Sequence, residues 1–230
     1  MMDLTKTNRK AWLFFSLLLF APFLIEIFIF TPITINREPQ EMWVAVNWIF
    51  SYIFYGTVCL IYFSWRKKTG CKIILRPNKH DLKWVCFSII IGVFGRYAFD
   101  FVFGLEINLP MIYREFYSFV LSGNAPAIWL GIVAFVMQYI YYLCEFILIA
   151  FMVDCSQKLS LKLGWTQRIP WGGLFLVLTW GFIHPWGLLQ GEFVYALRMI
   201  FLCLCVGLAY NLPGKKPTYA FLTVMAWYWF

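Results

Sequence analysis

Of the ionisable residues inside the apolar runs (Glu26, to which no role is assigned, Arg96, Asp100, Glu145, His184 and Arg198), two stand out as able to move protons together: Glu145, within MQYIYYLCEFILIAFMVDC, and His184, within LTWGFIHPWG. A carboxylate can take a proton from water, and an imidazole can supply or receive one near neutral pH. An ionisable group inside a membrane span costs about 2.5–3.5 kcal/mol on insertion scales, so it faces other helices or a wet cavity. On a helix, Gln138, Tyr141, Tyr142 and Glu145 fall on one face, because neighbours recur at three, four and seven residues. Pro185 follows His184 directly. It supplies no N–H and clashes with the preceding turn, so the Gly181 carbonyl loses its helical partner and a kink opens beside the imidazole. Glu145 lies nine residues before Asp154, about 14 Å along a helix, and His184 thirteen residues past Trp171, about 20 Å. Both depths approach the middle of a bilayer on consecutive helices, so the expectation is that Glu145 and His184 face one interior cavity. Gln138, Tyr142 and Arg198 are expected nearby as supporting residues.

The elements that must position this pair are membrane spans. The 230 residues are 62% hydrophobic and 13% charged, against about 45–50% and about 25% in soluble domains. Apolar runs of about 20 residues, enough to cross a bilayer, recur along the chain. The reading is an all-α polytopic transmembrane helix bundle of about seven spans, at 11–31, 42–65, 84–104, 126–153, 171–190, 193–211 and 218–230. These spans form one integral membrane domain over 1–230. No small-residue cleavage site follows the first apolar run, which reads as a retained helix and not as a removed signal peptide.

The net charge of +8 does not point to nucleic acid, because the basic residues sit between apolar runs, where they orient a membrane protein. Fifteen of the nineteen Lys and Arg fall in alternate segments: Lys6–Lys10, Arg66–Lys83, Lys158–Arg168 and Lys215–Lys216. Arg37 and Arg114 fall in the other segments, and Arg96 and Arg198 within spans. The expected location is the plasma membrane, with the N-terminus cytosolic and the C-terminus near the outer face. The loop 66–83, which contains His80, is basic enough to lie against anionic lipid. The outer segment 105–125 is too long for a turn and reads as an interfacial or re-entrant piece. Seven cysteines, an odd number without zinc-finger spacing, read as apolar filler. Arg96 and Asp100, four apart, can neutralise one another.

The order of these features over about 126–230 resembles the CAAX-protease and bacteriocin-processing (CPBP, or Abi) family of intramembrane proteases. CEFILIA (Cys144–Ala150) stands where that family has Glu-Glu-x-x-x-Arg, and WGFIH (Trp180–His184) resembles its Phe-x-x-x-His. CLCVGLAYNLPGKKPTYAFLTVMAWYWF is similar to its ending. Three positions depart from the pattern: one glutamate of the pair is kept, Ile149 or Ala150 replaces the arginine, and Met225 and Trp229 stand where a His-x-x-x-Asn belongs. The resemblance implies that Glu145 activates water while His184 stabilises the oxyanion. It also implies a peptide or lipidated protein as substrate, cut at the membrane. The family is sometimes described as metal-dependent, but a zinc site wants three protein ligands, and one Glu with one His speaks against a metal; no cofactor is expected. The alternative is a catalytically inactive relative that binds a membrane partner in immunity or regulation. A small transporter comes third, because related halves with broken helices are not evident. Arg198 decides part of this: paired with Glu145, it would make that carboxylate a poor base.

Overall fold

A computed structural model of the chain describes residues 8–34, 40–69, 79–105, 110–121, 128–181 and 193–230. Among these the fold is all-helical, with eight helices. Helix α1 (Arg9–Ile25) starts at Asn8, whose side chain accepts from the Lys10 N–H, and continues through a wide π turn over Glu26–Phe30 into Thr31–Thr34. A side-chain acceptor at that position satisfies one of the orphan donors of the first turn. Helices α2 (Gln40–Lys68), α3 (Leu82–Val102) and α5 (Ile128–Lys162) are long and apolar, as is α7 (Phe193–Tyr210). Between them stand α4 (Met111–Phe116), with a π turn over Tyr117–Leu121, and α6 (Trp171–Leu176), with a π turn over Val177–Gly181. The last helix, α8 (Pro217–Trp229), begins with a proline at its first turn, where the missing N–H leaves no bond unmade.

Five helical stretches are long and apolar enough to cross a membrane: Arg9–Ile33, Ala45–Lys68, Lys79–Val102, Ile128–Lys162 and Phe193–Tyr210. The stretches at 171–181 and 217–229 are shorter apolar helices. Residues 182–190, half of the expected fifth span, lie outside the described residues, as do His184, Pro185 and the loop 70–78.

Helix α5 is the central post. It packs against α1, α2, α6 and α8, and from Leu148 to Ser160 nearly every residue is buried. A helix apolar on only one side would leave such a run half exposed; here neighbours cover it all round. Its 35 residues make about 52 Å of helix, longer than the roughly 30 Å hydrocarbon layer.

Close approach of backbones fixes the other contacts. A Cβ placed on Gly207 of α7 would meet the Gly173 Cα of α6 at 2.6 Å, and one on Gly92 of α3 would run into the Thr223 carbonyl of α8. Without a hydrophobic drive between helices in lipid, such small-residue seams are what lets helices touch. Helices α3 and α8 run parallel, since Lys216 pairs with Asp81 at their starts and Arg96 donates to the Trp227 carbonyl near their ends.

Candidate functional site

The site around Glu145 is built by an antiparallel pair of helices. Gln157 of α5 accepts from the Gly172 N–H at 2.8 Å and donates to the Ile169 carbonyl at 3.2 Å, pinning the start of α6. Gly172 lets the two backbones meet, because a Cβ there would sit 2.5 Å from the Val153 oxygen. From that clamp both helices run the same way along the bundle axis: twelve residues back to Glu145 on one, eight residues on to Trp180 on the other. Trp180 Nε1–H then donates to Glu145 Oε1 at 2.9 Å. Glu145 is 5% exposed and Trp180 is 1% exposed.

Aromatic rings surround this contact. The Phe23 ring lies 6.5 Å from Trp180 and 5.2 Å from Tyr55, and Tyr55 lies 5.7 Å from Tyr141. Tyr55 donates its hydroxyl to Glu26, so a second carboxylate, given no role from the sequence, stands on the far side of the same aromatic group.

The other expected site residues go elsewhere. Gln138 Nε2 donates to Glu115 Oε1 at 2.8 Å and Tyr142 donates to the same oxygen at 3.0 Å. Gln138 also donates to the Tyr142 hydroxyl at 2.7 Å. Gln138 and Tyr142, the part of the α5 stripe farther from Asp154, face Glu115 of α4, while Glu145 faces Trp180 beyond α6. Arg198 Nη2 bonds Asp100 Oδ2 at 2.7 Å. Asp100 is thereby shared with Arg96, whose Nε lies 4.0 Å from it. Among the described residues no cation pairs with Glu145. Of the two residues that the sequence resemblance set against its third motif, Trp229 lies 6.0 Å from Tyr139 and Met225 packs on the core. His184 lies outside the described residues, four positions after Trp180 in the chain.

The centre least legible in the sequence surrounds Asp154. This residue is 0% exposed, and so are Arg66 and Tyr62. Arg66 Nη1 bonds Asp154 Oδ2 at 2.5 Å, Lys158 pairs with Oδ1, and the Tyr62 and Tyr210 hydroxyls donate at 2.9 and 2.7 Å. The Arg66 guanidinium also lies 5.1 Å from the Trp12 ring. Three helices (α2, α5 and α7) thus meet on one carboxylate, and α1 covers its cations with Trp12. Arg66 and Lys158, counted from the sequence as loop charges that set orientation, are buried partners instead, because α2 and α5 run on past the expected ends of their spans. The one available signal was the four-residue spacing of Asp154 and Lys158.

No family model, curated protein or solved structure matches the chain.

Proposed function

We propose that this chain is an integral membrane protein of about seven spans that acts as an intramembrane endopeptidase of the CPBP type. In this reading Glu145 is the general base and His184 its partner, acting on a peptide or lipidated protein at the plasma membrane. The supporting observation is the hydrogen bond from Trp180 to Glu145. It joins CEFILIA to WGFIH, the two stretches that resemble the family's first and second motifs, so His184 follows by four residues a side chain already on the carboxylate. The cation that would have spoiled the base is engaged elsewhere, since Arg198 is bound by Asp100. Attack on a scissile carbonyl then needs water at the free face of Glu145, and a donor where the oxyanion forms.

A second reading, a non-catalytic relative that binds a membrane partner in immunity or regulation, draws on the enclosure of Glu145. At 5% exposure, among Phe23, Tyr55 and Trp180, it has little room for water.

The two part on one experiment. The phenotype left by deleting the gene is complemented with wild type, Glu145→Gln, His184→Ala and the double variant, with protein levels followed by blot. The endopeptidase reading expects each single variant to lose activity by about 10²–10⁴-fold. It also expects the double variant to lose no more, because residues acting as one unit are not additive. A well-expressed double variant with wild-type phenotype would sink that reading and leave the partner-binding one.

A further inference from the structure

At the end of the bundle opposite the Lys216–Asp81 pair, α3, α4, α7 and α8 enclose a cavity of about 180 Å³. Its walls include Arg96, Arg114, Arg198, Tyr195, Trp227 and Tyr228. A water takes about 30 Å³ in the liquid, so there is room for one tetrahedral oxyanion with some of its hydration.

Three guanidiniums line this cavity, and two of them meet on the Asp100 carboxylate. Asp100 engages Arg198 closely and Arg96 only at 4.0 Å. Arg96 Nη1 donates to the Trp227 and Tyr228 carbonyls at 2.9 and 3.4 Å, where the end of α8 carries a partial negative charge of about half a unit. Even with Glu115 interacting with Arg114, the group keeps a net positive charge. Arg114 is exposed and forms no ion pair among the described residues. Arg96 is 4% exposed. Its Nε and that of Arg198 are both buried without a hydrogen-bond partner. A buried guanidinium N–H left unmade costs on the order of 1–3 kcal/mol or more; the two residues that carry these atoms line the cavity, while the Nε atoms themselves have no surface open to it.

We infer that this cavity binds a phosphate-type oxyanion, held by Arg96, Arg114 and Arg198 and presented by a lipid headgroup or as free phosphate. The planar carboxylate of Asp100 takes its close contact from Arg198; the remaining guanidinium donors come from different helices and suit a tetrahedral oxyanion. Asp100 repels any anion, and its role is to hold Arg198 in place. The inference is independent of the endopeptidase reading, since none of its arms measures proteolysis.

The test uses the full-length protein. In detergent, melting is followed against inorganic phosphate and against sodium chloride of equal ionic strength. In nanodiscs of phosphatidylcholine with or without phosphatidylglycerol, retained lipid is counted by native mass spectrometry. Free phosphate as the source gives a saturable rise in melting temperature beyond chloride. A headgroup source gives phosphatidylglycerol retained over phosphatidylcholine. In either arm Arg114→Gln, a substitution at an exposed residue that leaves the fold intact, weakens binding about tenfold, and Arg198→Gln does so where it folds. No phosphate effect beyond chloride together with no lipid preference overturns the inference, and so does wild-type binding by Arg114→Gln.

Discussion

Asp154 shows how much one buried carboxylate can organise. It is met by Arg66, Lys158, Tyr62 and Tyr210, so removing its charge strands two buried cations. Asp154→Asn is expected to destabilise the protein by about 3–5 kcal/mol, whereas Tyr210→Phe, which deletes one hydroxyl, costs about 0.5–1.5 kcal/mol. Chemical denaturation in detergent measures both, and a milder effect of Asp154→Asn than of Tyr210→Phe would contradict this account. Glu115 is the titrating residue to watch outside the spans. Burial pushes its carboxyl above the ordinary value of 4.5, against hydrogen bonds from Tyr142 and Gln138 that pull it down. A carboxyl of raised proton affinity favours the folded state while protonated, so stability falls as pH climbs from about 4.5 through the raised value and then levels. Glu115→Gln is expected to melt higher than wild type at pH 7 and to show a smaller difference at pH 4.

At the scale of elements, the seams between helices are set by glycines, and not all glycines are alike. Gly207 faces Gly173 with no room for a methyl group, so Gly207→Ala forces α6 from α7 and costs about 1–3 kcal/mol. At Gly56 on α2 a methyl group would have nothing within 4 Å of it, so Gly56→Ala is expected to be neutral or to stabilise by about 0.5–1 kcal/mol. Thermal melts of the two variants in one detergent should move in opposite directions or leave Gly56→Ala unchanged. Because α6 also delivers Trp180 to Glu145, Gly207→Ala should lower the activity assayed for Glu145→Gln as well.

For the whole molecule, the polar centres sort to two ends and a middle. Trp12, Arg66, Asp154, Lys158, Tyr210 and the Lys216–Asp81 pair mark one end; Arg96, Asp100, Arg198 and Glu115 mark the other, with Glu26, Tyr55 and Glu145 between. The basic segments of the sequence attach to the first end, which under the positive-inside rule is the cytosolic one. A topology reporter placed after Lys162 should read cytosolic and one placed near Asn108 external. The reverse pattern at both sites would overturn this orientation.

The all-helical fold was legible in composition: a chain 62% hydrophobic, with charge confined to short segments, is expected to form helices because backbone groups in lipid must be satisfied within each segment. The polar stripe on α5 was also legible, since a helical face depends only on spacing along one element. Its partners were not. Gln138 and Tyr142 turn to Glu115, Glu145 to Trp180, and Arg198 to Asp100, a choice made by how α4, α6 and α3 rotate and slide against their neighbours. Arg66 and Lys158 looked like solvated charges because span ends are not marked in composition, and the continuation of α2 to Lys68 and of α5 to Lys162 carries both onto Asp154. Periodicity fixes which residues share a face; which face meets which is decided by glycine seams and buried ion pairs contributed by residues far apart in the chain.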